Sequence, residues 1–323
     1  MNTIGYADLL AHPDINNYLE RVEKRLAHDV AWAGGPTSAT AAETLSAGGK
    51  RLRPVLVMLS ATAAEQSSEN LVRAGSAVEL IHMATLVHDD VLDHASLRRG
   101  RPTVWAQHGE RIAVAVGDFL FARAFAVLAE TDNIESLTLL AETALSLSEG
   151  EALQMLQTRE PTTTPAQYFE RCTLKTGRLF AAACGLGGRL GGLVDEDVMT
   201  LKEYGRLLGL AFQVSDDILD CDGPSDITGK TLGTDLLGGT ATLPLLYAAR
   251  ADAVVAAALR QQVAIEDVLP ILQRVVYSGA LDEARETARD LARAAEEALD
   301  RVHGNLDTIP LRMVVRGVVD RDT

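Results

Sequence analysis

The chain is poor in cysteine, proline and aromatic residues, and it has no surplus of positive charge. Its 3 cysteines, Cys172, Cys184 and Cys221, are odd in number and show no Cys-x-x-Cys spacing. That argues against a disulfide framework or a zinc ribbon and fits a reducing, cytoplasmic setting. Only 10 prolines occur in 323 residues, with no low-complexity tract, which excludes collagenous and disordered classes. Basic side chains number 30 against 45 acidic ones, a net charge of −15. No nucleic-acid partner is therefore expected, because sequence-blind binding needs a basic face. Cations gathered in one cleft could still hold phosphate. Long uncharged apolar runs are missing as well. The most apolar segment, Ile112 to Ala129, is broken by Asp118 and Arg123. A membrane helix needs about 20 apolar residues with few charges, so membrane contact is expected to be peripheral at most. The first residues lack a basic stretch followed by an apolar core, so no signal peptide is expected.

What is present is helical periodicity. Apolar residues make up 47% of the chain, and they recur at three- and four-residue spacing through segment after segment. The pattern predicts helices at 14–33, 38–47, 54–65, 69–93, 109–130, 134–157, 165–189, 196–220, 241–262, 265–275, 279–302 and 308–319. Gly34-Gly35-Pro36, Gly48-Gly49, Pro161 with Pro165, Gly191-Gly192 and the stretch from Asp222 to Gly239 punctuate them. The expectation is a single all-α domain spanning 1–323, a helical bundle with no linker and no solenoid repeat.

One short motif occurs twice. His88-Asp89-Asp90-Val91-Leu92-Asp93 ends one apolar helix, and Ser215-Asp216-Asp217-Ile218-Leu219-Asp220 ends another. Residues i and i+4 share a helix face, so Asp89 points with Asp93, and Asp216 with Asp220. Like charges at that spacing repel, and aspartate belongs at the positive N-terminus of a helix, not near its C-terminus. A solvated acidic helix end is the plain alternative for one such cluster. Two copies of an unfavourable arrangement point to a compensating cation. Oxygen ligands without cysteine favour Mg²⁺, which completes its shell with water and substrate phosphates. Other metal readings are poorer. Glu79-Leu80-Ile81-His82 is a Glu-x-x-His unit, but a di-iron bundle needs a second such unit and two further glutamates. His88 and His94 flank the first cluster and could ligate zinc, or could be supporting or surface groups.

Cations lie on either side of the first cluster. Gly48-Gly49-Lys50-Arg51-Leu52-Arg53-Pro54 precedes it and Leu97-Arg98-Arg99-Gly100-Arg101-Pro102-Thr103 follows it. Positive charge at a helix start opposes the dipole unless an anion sits there. Arginine forks match phosphate oxygens in pairs. Lys175-Thr176 and Lys230 add further polar groups. A solvated patch is again the alternative. Two carboxylate sets and several cationic sets would serve two diphosphates, one bridged to carboxylates by metal and one held directly.

With those residues assembled, the sequence resembles the trans-isoprenyl diphosphate synthases of the polyprenyl type. The resemblance runs from about Gly48 to the C-terminal Val-Val-Asp-Arg. It rests on GGKRLRP at 48–54, ELIHMATLVHDDVLD at 79–93, LRRGRPT at 97–103, GDFLFARAF at 117–125, GEALQ at 150–154, KTGRLF at 175–180, QVSDDILD at 213–220, and GKTLGTDL with TLPLL within 229–246. It implies an all-α bundle around a deep central cavity, usually a homodimer. Lys50, Arg53, His82 and Arg99 would bind isopentenyl diphosphate. Arg98, Lys175, Gln213 and Lys230 would hold the allylic diphosphate. Asp89 and Asp93, with Asp216 opposite, would ligate Mg²⁺; Asp90, Asp217 and Asp220 would be partial or supporting ligands. Thr176 and the Lys175 carbonyl would face a developing carbocation, which makes Lys175, Thr176 and Gln213 the candidate catalytic group.

The reaction so implied is head-to-tail (1'-4) condensation by ionisation, condensation and elimination, giving an all-trans polyprenyl diphosphate. Short-chain members carry aromatics just before the first motif, whereas this chain has the small Ala84 and Thr85. A product longer than farnesyl is therefore expected, with Phe119, Phe121 and Phe125 as floor or ordinary core residues. One departure stands out: Thr240 occupies the place of a second lysine common in the family. Asp222 to Gly239 would form a closing lid. Class I terpene cyclases and head-to-head prenyl synthases use related chemistry, but GGKRLRP and the second aspartate motif argue against both. A catalytic subunit that needs a small partner subunit stays open.

Overall fold

In the computed structural model, residues 9, 11–32, 34–160, 162–223 and 232–319 are described. The chain divides into two compact units. The first comprises Met1–Ala144, Leu179–Gly205 and Leu299–Met313; the second comprises Leu145–Arg178, Arg206–Ala298 and Val314–Thr323.

Most of the helices predicted from periodicity are present. They are α1 (Pro13–Ala31), α2 (Pro36–Ser46), α3 (Leu52–Leu59), α4 (Glu69–Leu92), α5 (Val104–His108), α6 (Glu110–Ala129), α7 (Ile134–Gln157), α8 (Pro165–Cys172), α9 (Arg178–Leu190), α10 (Asp195–Asp222), α11 (Thr234–Gly238), α12 (Leu243–Ala249), α13 (Ala253–Ala258), α14 (Ile265–Tyr277), α15 (Ala280–Leu299) and α16 (Ile309–Val319). Among the described residues, the strands are β1 (Leu97–Arg98) and β2 (Arg101–Pro102), an antiparallel hairpin. The chain is all-α, as expected.

Local chemistry explains where the helices begin and end. Ser68 accepts from Asn70 N at the start of α4, and Thr164 with Gln167 forms a reciprocal capping box at the start of α8. Four differences from the sequence reading stand out. The helix expected over 54–65 stops at Leu59, because a run of turns bonds back to Gly191: Thr62 N donates to its carbonyl at 3.2 Å. The single helix expected over 241–262 is two, separated where Asp252 caps α13 by accepting from Val254 and Val255. The helix expected over 165–189 is interrupted by a π turn at Thr173–Gly177. The hairpin at 97–102 and the short α5 carry no long apolar period that could announce them.

In the first unit α4 is buried along most of its length, from Leu71 to Ile81, and packs against α6 and α3. The hydroxyl of the buried Tyr18 donates to Leu71 O at 3.0 Å, tying α1 to α4. Helix α6 is long and apolar enough to cross a membrane by length and composition alone. It turns Val116, Gly117, Leu120, Ala124 and Val127 into this unit's core. Phe119, Phe121 and Phe125 are half-buried and do not belong to the fully buried core. The second unit's core is built from Tyr168, Cys172, Leu210, Val214, Ile218, Leu243, Leu272 and their neighbours. All three cysteines are buried and free.

A charged knot sits inside the first unit. Asp29 is fully buried and accepts from Arg25 at 2.9 Å and from Arg123 at 2.7 Å, while Arg25 also reaches Glu130 at 2.6 Å. Arg123 lies over the Trp32 ring at 5.2 Å. Burying such a pair gives little net stability, but removing one member strands the other. Asp29→Ala is therefore expected to cost about 3–5 kcal/mol, read as a lower midpoint in urea or thermal unfolding.

Candidate active site

The first aspartate motif closes α4. Asp93 N donates to Asp89 O at 2.8 Å, so the two aspartates lie one turn apart on the same helix end. Asp89 is half-buried and Asp93 exposed. The face of α4 that keeps partial exposure carries His82, Thr85, Leu86 and Asp89, at the spacing of a single helical stripe. Asp90 points the other way. It is buried and accepts from Arg98 Nε at 2.8 Å. Burial pushes its carboxyl up to about 6, against the pull of Arg98. Of the candidate diphosphate and metal ligands, Arg98 and Asp90 thus answer each other.

The two basic segments meet beside this helix. Arg51 is buried and donates to Glu23 at 2.5 Å and to Glu79 at 2.7 Å. The Glu79 carboxylate of the Glu-x-x-His unit is spent on that guanidinium, which leaves the unit poorly suited to iron. Arg53 stacks over Phe180 at 4.7 Å, and Arg99 donates to the Gly48 carbonyl. Arg51 and Arg99 both hold left-handed backbone, with φ of 49° and 52°. Such conformations cost free energy in non-glycine residues and are maintained by surrounding contacts. Burial, then the charges of Arg53, Arg99, Arg98 and Arg51, push His82 well below the usual histidine range. Burial also lowers Arg99, reinforced by Arg51 and Arg98 and opposed by Glu79. A neutral imidazole among guanidinium groups is an electrostatic setting that an anion relieves. Lys50 lies next to this group on the α1 side, lining a cavity of about 500 Å³ with Glu20, Glu23, Lys24 and Arg51.

The flanking histidines are held by packing. His88 Nε2 lies 3.3 Å from Val114 O and its ring 5.8 Å from Phe121, while His94 lies 5.3 Å from Trp105. Gly117 is the reason α6 can pass so close to His88, since a Cβ there would overlap the imidazole.

The second motif closes α10 within the second unit. Asp216 is exposed. Asp217 is buried and accepts from Tyr168 Oη at 2.6 Å and from Gln213 Nε2 at 2.9 Å. Burial raises its carboxyl, while Tyr168, Gln213 and the nearby Arg171 favour the ionised form. Asp220 caps α11, accepting from Thr234 Oγ1 at 2.6 Å and from the Thr234 and Asp235 amides at 3.1 Å each. Lys230, and the lid expected across Asp222 to Gly239 apart from Asp222, Gly223 and 232–239, lie outside the described residues. Thr240, at the variant lysine position, is half-buried, and its amide donates to Asp235 O at 2.8 Å.

Lys175 and Thr176 stand on the π turn. Lys175 Nζ meets Glu151 at 2.5 Å, and Thr176 Oγ1 donates to Gln213 Oε1 at 2.8 Å. Gly150 permits this approach, because a Cβ there would lie 2.7 Å from the Lys175 amide nitrogen. Within GEALQ nothing in the sequence marks Gly150 or Glu151 for a role, and Tyr168 stands outside every motif. The available signal was spacing: Tyr168 precedes Lys175 by two helical turns.

Among the described residues no group of three His, Cys, Asp or Glu side chains is placed to hold a metal. The aspartates supply hard oxygen donors, at most two on a helix face. That donor chemistry fits a cation that keeps water and phosphate in its shell, such as Mg²⁺.

Comparison with known proteins follows the same lines. A heptaprenyl diphosphate synthase component 2 from Geobacillus stearothermophilus is 36% identical over 299 residues, covering 92% of this chain and 91% of that protein. A nonaprenyl diphosphate synthase from Mycobacterium tuberculosis is 40% identical over 241 residues, covering 74% and 72%. The crystal structure of a polyprenyl synthase from Caulobacter crescentus, complexed with calcium and isoprenyl diphosphate, superposes with a TM-score of 0.88 at 35% identity, covering 100% of both chains. The helical architecture is that of the isoprenyl diphosphate synthases. The chain belongs to the polyprenyl synthetase family, whose model matches residues 36–273.

His82 yields a pH prediction. Its folded pKa lies below the ordinary 6.5, so between the two values the unfolded chain binds a proton that the folded chain refuses. Its contribution to stability is complete above 6.5 and is lost as the pH falls through that window. His82→Gln should flatten the decline in unfolding temperature between about pH 7 and about pH 5. Parallel wild-type and variant curves would contradict the assignment.

Proposed function

We propose that this chain is a prenyltransferase that condenses isopentenyl diphosphate head-to-tail with an allylic diphosphate. Its product would be an all-trans polyprenyl diphosphate longer than farnesyl. The observation that carries this reading is an Asp-Asp-x-x-Asp helix end in each unit, together with a guanidinium cluster around His82 in the first. Membership of the family supports it.

In this reading Asp89, Asp93 and Asp216 hold Mg²⁺, with Asp90, Asp217 and Asp220 supporting the helix ends around them. The bound ion would neutralise charge on the leaving allylic diphosphate. Arg53, Arg99, Lys50 and His82 hold the diphosphate of isopentenyl diphosphate. Neutral His82 can donate one hydrogen bond without adding charge. Lys175, Gln213, Arg98 and Lys230 orient the allylic diphosphate, and Thr176 with the Lys175 carbonyl turns oxygen toward the allylic carbon. The acceptor double bond attacks that carbon, and a proton leaves the new chain. The departed diphosphate can accept it, so no dedicated protein base is needed.

Product length is read from α4. Ala84 is fully buried, so it packs in the core instead of lining open space, which corrects its place in the sequence reading. Thr85 is half-buried on the face it shares with His82 and Asp89, and its hydroxyl bonds the His82 carbonyl at 2.8 Å. A small Thr85 leaves that face open to a growing chain.

A second reading has its own support. The Geobacillus relative is named as one component of a heptaprenyl synthase, so a partner subunit is a specific alternative to the homodimer. Exposed Ile112 and Val114 on α6 are apolar surface that either association would cover.

Purified protein, isopentenyl diphosphate, farnesyl diphosphate and Mg²⁺ should yield polyprenyl diphosphate, detected by chromatography after dephosphorylation. Activity should disappear with chelator and return with Mg²⁺, and sedimentation should give twice the chain mass. An inactive protein that gains activity only with a second subunit would favour the two-component reading. Thr85→Phe should shorten the product with little loss of stability. Ala84→Phe should instead destabilise the fold by about 1–3 kcal/mol through overpacking. Unchanged product length in Thr85→Phe would sink the assignment of this face.

A further inference from the structure

Tyr168 has no role in the reaction as set out above, yet it occupies one end of a continuous hydrogen-bonded relay, buried at Tyr168, Asp217 and Thr176 and half-buried at Gln213. Its hydroxyl donates to Asp217 Oδ2 at 2.6 Å, and Gln213 Nε2 donates to Asp217 Oδ1 at 2.9 Å. Thr176 Oγ1 then donates to Gln213 Oε1 at 2.8 Å. All four residues belong to the second unit. Tyr168 is 1% exposed and Asp217 2%, so water does not compete for either group. The Tyr168 ring is itself fixed. Arg171 lies over it at 5.5 Å, anchored by Gln157 Oε1 and the Ala241 carbonyl at 2.8 Å each. Phe169 meets it edge-on at 5.1 Å.

We infer that Tyr168 is a positioning residue that, through Asp217 and Gln213, fixes which way the Thr176 hydroxyl points. The inference rests on the proposed prenyl transfer, in which Thr176 faces a developing cation. Tyr168, Gln213 and the nearby Arg171 oppose the effect of burial and favour ionised Asp217, which only accepts, so both its oxygens are filled by donors. The Gln213 amide must present its NH₂ to Asp217, because the flipped amide would set oxygen against oxygen. Its carbonyl is then committed to the opposite side, where the single Thr176 proton is drawn to it. A hydroxyl has one proton and two lone pairs. With the proton spent on Gln213, Thr176 can offer only lone pairs in any other direction. That polarity stabilises positive charge and needs no reorganisation when the charge appears. The second aspartate of the second motif thus works through the helix, whereas Asp216 is exposed for metal.

Three variants, Tyr168→Phe, Thr176→Val and the double variant, test this by steady-state kinetics with farnesyl and isopentenyl diphosphates. Tyr168→Phe should lower kcat about tenfold with the KM for isopentenyl diphosphate kept and the allylic KM, reached only through Gln213, changed by less than kcat. In the Thr176→Val background the same change should have almost no further effect, because the proton it controls is gone. A raised KM for the allylic substrate at unchanged kcat, or additive losses in the double variant, would overturn the inference. A second readout is independent of turnover. In ¹⁵N-glutamine-labelled protein, the Gln213 side-chain amide, identified by its loss in Gln213→Ala, should exchange slowly in the wild type and faster in Tyr168→Phe. Wild-type exchange as fast as at exposed glutamines overturns the relay even if the variant does not fold. A wild-type protein that shows the slow amide but makes no prenyl product would instead count against the proposed function alone.

Discussion

Acid buried at the C-terminal end of an apolar helix is the constraint on which the rest of this structure depends. Both aspartate motifs sit where the helix dipole is already negative, and neither local neighbourhood would favour them. The fold resolves the conflict by dividing labour within each motif. Asp90 is answered by Arg98, Asp217 by Tyr168 and Gln213, and Asp220 by the amides of a short helix. Those three are built into the protein, whereas Asp89 is half-buried and Asp93 and Asp216 are exposed.

The same principle operates in reverse among the cations. Arg51 is neutralised from two sides by Glu23 and Glu79, and its left-handed backbone shapes the start of α3. Its guanidinium is thereby committed to carboxylates of the protein. Burial, reinforced by the charges of Arg53, Arg99, Arg98 and Arg51, pushes His82 well below the usual histidine range. Close approach of helices is a second condition, and it falls to glycine. Gly117 admits His88, and Gly150 admits the π turn that carries Lys175 and Thr176. A methyl group at either place would push apart the elements that position the site.

How far the site was legible depended on the kind of signal. The paired aspartates, the basic segments and Lys175-Thr176 are local strings, and a helix converts their spacing directly into a shared face. The partners that settle their roles are remote in sequence. Glu79 and Arg51 are 28 residues apart, and Tyr168 and Asp217 are 49 apart. No periodicity announces such pairs. The π turn was likewise invisible, since an inserted residue within a helix leaves the apolar pattern nearly intact.

The sequence by itself determined an all-helical chain, the positions of its long helices and the repeated carboxylate motif. These follow from periodicity and from side-chain chemistry within a few turns of one helix. Only the tertiary structure decided that Asp90, Asp217 and Asp220 answer groups of the protein and which face of α4 keeps partial exposure. It also separated the buried Ala84 from the accessible Thr85. The reason is physical: a side chain's type sets what it can bond, but burial and neighbours from distant segments decide what it does bond.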